Sequence, residues 1–121
     1  MSNLLRRKKL IVDGLDDSFL KEGVSIQCPL CECYINFGLY NSIDFDKIDD
    51  DIKFKMLNEM TGVKLCGEEI KEYKYKGGVL RVSKSKCHKG GESFFVVFTY
   101  NEVQPGKYES YLIGLFRIDA I

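Results

Sequence analysis

Two segments, Ser93 to Tyr100 and Tyr108 to Ile118, carry apolar side chains on both of their faces. In the first, Phe94, Val96 and Phe98 alternate with Phe95 and Val97. Strand side chains point alternately to opposite sides, so strands of this kind need cover on both sides and belong in the middle of a sheet. The loop between them holds Pro105-Gly106, a turn signal. A cover for one face is legible further upstream. From Asp44 to Met60 the residues Phe45, Ile48, Ile52, Met56 and Met60 recur at three- and four-residue spacing, which predicts one face of a helix. Asp46, Asp49, Asp50 and Asp51 fall in its first turns, where the helix dipole favours negative charge. Gly62 is placed to end it.

Shorter signals fill in the rest. Leu10-Ile11-Val12 reads as a strand closed by Asp13-Gly14, and Asp16-Asp17-Ser18 as the cap of a single helical turn running through Glu22 to Gly23. Val24 to Gln27 alternates like a strand, and Tyr34 to Phe37 with Leu39-Tyr40 looks like its returning partner. Val79 to Lys86 alternates apolar and basic residues behind a possible tight turn at Gly77-Gly78. The expectation is an α+β fold: an antiparallel β-sheet, one main amphipathic helix, and a cysteine-bearing hairpin at one edge. All 121 residues fit a single domain, with a helical insertion at about 44–62.

Composition excludes several classes. No apolar run approaches the roughly 18 residues of a membrane span. The first residues are charged, and Leu10-Ile11-Val12 is too brief for a secretory signal, so a cytoplasmic protein is expected. Lys plus Arg and Asp plus Glu both number 18, giving zero net charge and no overall field toward nucleic acid or membrane. The charge is uneven, however. Residues 28–63 hold seven acids against three bases, and residues 64–91 hold eight bases against three acids.

Five cysteines in a cytoplasmic chain suggest metal or redox chemistry before disulfides. Cys28-Pro29-Leu30-Cys31 places two thiolates on one side of a tight turn, as tetrahedral zinc requires. Cys87-His88-Lys89-Gly90-Gly91 leaves one strand, turns through glycines and enters the apolar strand at Phe94. These segments resemble the zinc-ribbon group, in which a Cys-Pro-x-Cys knuckle and hairpin are followed by a second Cys-x-x-Cys-Gly knuckle. The resemblance covers the two knuckles and their flanking strands and implies a zinc-ribbon-like hairpin holding structural zinc. Cys28, Cys31 and Cys87 would be ligands. Gly90 stands where the fourth cysteine belongs, which leaves His88, Cys66, Cys33 or water to complete the shell, with His88 placed first. The plain alternative is that the cysteines are small core residues. A glutaredoxin-like reading of Cys-Pro-Leu-Cys fails because strand-like residues, not a helix, follow it.

Zinc-deaminase, nucleophile-elbow, phosphate-loop and dinucleotide signatures are missing, so no enzyme and no small-molecule substrate are expected. Lys74, Lys76, Arg81, Lys84, Lys86 and Lys89, with Tyr73 and Tyr75 among them, could follow phosphates and stack bases. Lysines that guard a sheet edge would look the same. The sequence therefore points first to a small zinc-stabilised module that binds an unidentified protein partner through its acidic helix or sheet edge. In a bacterium or virus it could regulate or inhibit a larger machine. A nucleic-acid-binding zinc ribbon using residues 74–89 is the alternative.

Overall fold

The computed structural model describes residues 3–5, 8–14, 23–29, 34–69, 71–87, 91–105 and 107–118. Among the described residues, nine strands and one α-helix follow in chain order: β1 (Lys9–Gly14), β2 (Val24–Gln27), β3 (Tyr34–Phe37), β4 (Ser42–Asp44), α1 (Asp50–Leu57), β5 (Lys64–Cys66), β6 (Glu72–Tyr75), β7 (Gly78–Lys86), β8 (Ser93–Gln104) and β9 (Lys107–Arg117). The main sheet is antiparallel and curled, in the order β1-β9-β8-β7-β6-β5, and β2 and β3 form a second, two-stranded sheet.

The two doubly apolar segments become β8 and β9, the innermost long strands. Their faces feed separate cores. Phe94, Val96 and Phe98 join Leu112 and Leu115 on one side, packed against Ile35 and Phe37 of β3 and flanked by Leu4, Leu5 and Ile11. Phe95 and Val97 join Ile113 and Phe116 on the other, packed against Phe45, Met56 and Met60. Strict alternation would separate Leu112 from Leu115. The register slips between Val97↔Gly114 and Phe98↔Leu112, leaving Ile113 as an extra residue in β9. This bulge reverses the alternation, so Leu115 returns to the face of Leu112 and Phe116 to that of Ile113. Gly114 beside the bulge cannot take a side chain easily: a Cβ there would lie 2.7 Å from the Phe116 ring and 2.9 Å from Met60 Sδ.

Strand β7 divides its edges unequally. One edge pairs with β8 along its whole length. The other is shared in series by β6 at Gly78 and Val79, by β4 at Arg81 to Ser83, and by Ile35 of β3 opposite Cys87. At the far side of the sheet the chain's first residues close the edge of β9. β1 pairs with residues 108–112, and beyond it the Leu4 N–H donates to the Leu115 carbonyl at 2.8 Å. The Asn3 amide acts there as a substitute peptide group. Its Oδ1 accepts from the N–H groups of Leu115 (3.0 Å) and Leu5 (3.1 Å), and its Nδ2 donates to the Ile113 carbonyl at 3.2 Å.

Three expectations are corrected. The fold is mostly β rather than α+β, because the predicted long helix shrinks to the eight residues of α1. Phe45–Lys47 forms a 3₁₀ turn and Ile48 is extended, while residues 42–44 are strand. A 3₁₀ turn repeats every three residues, so Phe45 and Ile48 reach the same core that a continuous helix would have given them. The cysteine hairpin β2–β3 does not hang at an edge; it lies across one face of the main sheet, with Phe37 and Phe98 ring centroids 5.2 Å apart. Among the described residues there is no zinc-ribbon hairpin. The helical turn expected at residues 16–22 lies outside the described residues.

Candidate functional site

The cysteines were the first candidate. Cys28 follows β2 and Cys87 follows β7, and both are buried in the core beneath the hairpin with Ile35, Phe37 and Phe94. Cys31, Cys33 and His88 lie outside the described residues. Among the described residues no group of three or more His, Cys, Asp or Glu side chains could hold a metal ion, which overturns the zinc-ribbon reading. The local geometry gives a physical reason for the misreading. The Cys87 N–H donates to the Glu92 carbonyl at 2.8 Å, which ties the end of β7 to the approach to β8. Gly91 adopts φ +67°, a left-handed conformation suited to glycine in such a loop. Glycines of a hairpin loop and glycines of a metal knuckle look alike in sequence. Cys66, the other suggested ligand, sits in edge strand β5, half-buried, with its Sγ 3.9 Å from the Lys64 carbonyl.

The basic segment does not make one surface. Lys74 lies opposite Val79, and Arg81 follows Val79 on the same side of β7. Alternation sends Lys84 and Lys86 to the opposite side, with Leu80 and Val82. Arg81 is also committed within the protein: its guanidinium donates to Asp44 Oδ1 (2.8 Å), Ser42 Oγ (2.8 Å) and the Ser42 carbonyl (2.9 Å). Lys74 pairs with Glu72 at 3.9 Å, and the Lys76 ammonium stands 4.8 Å from the Tyr111 ring centroid. Lys89 lies outside the described residues.

Sequence reading missed the feature that stands out most. On the helix-covered face, a groove of about 320 Å³ opens between β4, the approach to α1, and the strands β7 and β8. Its floor is Val82 and Phe95, and its walls are Ile43, Ile48 and Ile52. Ile43 pairs with Val82 across β4 and β7, so both side chains face this way. Ile43 remains 49% exposed, a high value for a branched aliphatic side chain next to a core. The groove stays open because the regular helix begins only at Asp50, so the extended turn at Ile48 and Asp49 does not roof the sheet. Asn41, Asp49 and Lys84 form the rim, and the Lys84 ammonium lies 5.9 Å from the Phe95 ring centroid. Five apolar residues from four separate elements converge here, and no local pattern in the sequence marks them as neighbours.

Farther along the same helix, Lys53 is buried despite its charge. Its ammonium donates to Asp46 Oδ1 at 3.1 Å and lies 3.2 Å from Asp50 Oδ1. Burial pulls its pKa down, but the hydrogen bonds and charges of Asp46 and Asp50 outweigh that pull and leave it raised. Two of the acids expected to face solvent freely are therefore holding a lysine in place.

Comparison with protein-family models, with curated proteins and with solved structures finds no match. No helix among the described residues is long and apolar enough to cross a membrane.

Proposed function

We propose that this chain is a small, non-catalytic protein-interaction module, in the manner of a regulator that attaches to a larger machine. The partner docks an aliphatic side chain into the groove between β4 and α1. The observation that carries this reading is the exposed Ile43 standing over an open pocket floored by Val82 and Phe95. Apolar surface beside a core costs about 25 cal/mol for each Å² left in water, and burial by a partner recovers it. Depressions of this kind, apolar at the centre and polar at the rim, are where interface anchors concentrate. The site joins the two elements that sequence alone had suggested for binding, the acidic helix and a short strand at the sheet's margin. A cytoplasmic setting belongs to the same reading, since an odd number of cysteines suits a reducing compartment.

A displayed random-peptide library selected on the intact protein tests it. Enriched peptides should share a branched aliphatic anchor and lose binding to Ile43→Asp, a substitution at an exposed position whose fold circular dichroism would check. A library that yields no binders, or binders indifferent to Ile43→Asp, removes the reading.

A further inference from the structure

The groove does not end at Lys84. Along β7 the side chains on its face run Val82, Lys84, Lys86, and along β8 the register partners of the two lysines are Phe95 and Ser93. A second depression of about 300 Å³, lined by Lys84, Ser85, Lys86, Ser93 and Ile118, continues from the first and shares Lys84 with it. Lys84 and Lys86 are exposed, and neither forms an ion pair among the described residues. This contrasts with Lys53, Lys74 and Arg81, each of which has a carboxylate partner. One continuous strip of sheet therefore passes from an unfilled aliphatic pocket to two uncommitted cations.

Resting on the groove reading above, we propose that the partner's docking segment is an extended acidic peptide: one branched aliphatic anchor with carboxylates two and four residues from it on one side. The spacing comes from the sheet itself. Alternate residues of a strand lie about 6.6 Å apart. An extended peptide laid along β7 has the same two-residue repeat, so an anchor over Val82 puts its next two same-side residues over Lys84 and Lys86. A helical ligand rises only about 1.5 Å per residue and would need its carboxylates about four and eight residues from the anchor, so two- and four-residue spacing in the ligand is the mark of the extended form. The ammonium groups would meet the carboxylates at the solvent-facing end, where charge complementarity sets orientation and selectivity more than affinity. Asp49, which also lines the groove, disfavours a carboxylate beside the anchor itself.

Fluorescence titration of the full chain with labelled synthetic peptides decides the matter. The probes are Gly-Ile-Ser-Asp-Ser-Asp-Gly, the reversed sequence, and a version of each with Asn in place of both Asp. The acidic peptide, in one of the two directions, should bind at least about tenfold more tightly than its Asn counterpart at low salt, and the difference should shrink as salt rises. Lys84→Glu with Lys86→Glu should erase that preference, weakening the acidic peptide more than the Asn peptide. Ile43→Asp should weaken both peptides. Equal binding of acidic and Asn peptides, each sensitive to Ile43→Asp, overturns the acidic-peptide inference and leaves the groove reading standing. Failure of Ile43→Asp to weaken either peptide overturns both. Displacement of the peptide by a deoxythymidine dodecamer or by dodecanoate, at concentrations below those at which the peptide itself binds, assigns the strip to nucleic acid or to a fatty acid and overturns the inference.

Discussion

The Lys53 side chain is only 8% exposed, yet the side chains that hold it, those of Asp46 and Asp50, are 55% and 76% exposed. Pairs so open to water are screened, so their net contribution is small. Lys53→Met keeps an unbranched apolar stem in the buried position and removes the charge, with the ammonium's approach to the Tyr73 and Phe54 rings. It should lower the unfolding free energy at pH 7 by on the order of 1 kcal/mol, measured by urea denaturation. Because the folded protein holds this proton more tightly than the unfolded chain, the stabilisation is complete below the ordinary lysine value of 10.5 and is lost as pH rises through the higher folded value. The gap between wild type and Lys53→Met should therefore close in strong alkali. The cysteines separate in a similar residue-by-residue way. Cys28 and Cys87 are 1% and 2% exposed, whereas Cys66 is half-buried on an edge strand. Peptide mapping after brief alkylation of the folded protein should find label on Cys66 well before Cys28 or Cys87, and equal rates at all three would contradict the burial described.

At the scale of single elements, α1 is held by few contacts. Met56 is fully buried and Lys53 nearly so, while Phe54 points outward at 54% exposure. Met56→Ala should cost about 2–4 kcal/mol by leaving a cavity under the helix. Phe54→Ser should change stability by less than about 0.5 kcal/mol. Thermal or urea unfolding of the two variants compares them directly, and similar losses would mean that the helix is rotated from the orientation described. This element also shows what the sequence could reveal. The spacing of Phe45, Ile48, Ile52, Met56 and Met60 identified the buried residues well, yet overestimated the helix. A 3₁₀ turn followed by an α-helix keeps three- and four-residue spacing just as a single helix does. Strands β7, β8 and β9 were readable within a residue or a few, because two-sided apolarity leaves few alternatives. The bulge at Ile113 was hidden, since Leu112-Ile113-Gly114-Leu115-Phe116 is apolar under either alternation. The short strands β4 and β5 span three residues each, too few to mark a period, and the Glu-Tyr-Lys-Tyr alternation of β6 read as a basic, aromatic surface instead. The groove was illegible for the same reason that it works as a site: Ile43 and Phe95 are 52 positions apart (95 minus 43), and only the pairing of β4 with β7 and β7 with β8 brings them together.

For the whole molecule, residues 3–5 and 8–14 complete the sheet and also part of a core. They occupy the outer edge of β9 from Tyr108 to Leu115 and lay Leu4, Leu5 and Ile11 against the face that holds Phe94 and Phe98. Without them β9 would present unpaired N–H and C=O groups beside exposed apolar surface, a template for pairing with another chain. A chain lacking residues 1–14 should therefore self-associate at concentrations where the full chain sediments as a smaller species, as sedimentation velocity would show. An unchanged sedimentation coefficient would mean that the edge is protected in another way.

The Asn3 amide that fastens this segment to Ile113 and Leu115 also has a mechanical consequence. Residues 3 and 117 lie at the same end of an antiparallel pair, whose hydrogen bonds run across the strands. A pulling force applied between those two positions would load the bonds singly, beginning at Asn3, and should open the edge at low force. The same force applied between Asn3 and Tyr108, at opposite ends of the pair, would shear all the bonds together and meet far more resistance. An optical trap with handles at each pair of positions would record the two regimes, and equal rupture forces would show that the segment is not held along β9 as described.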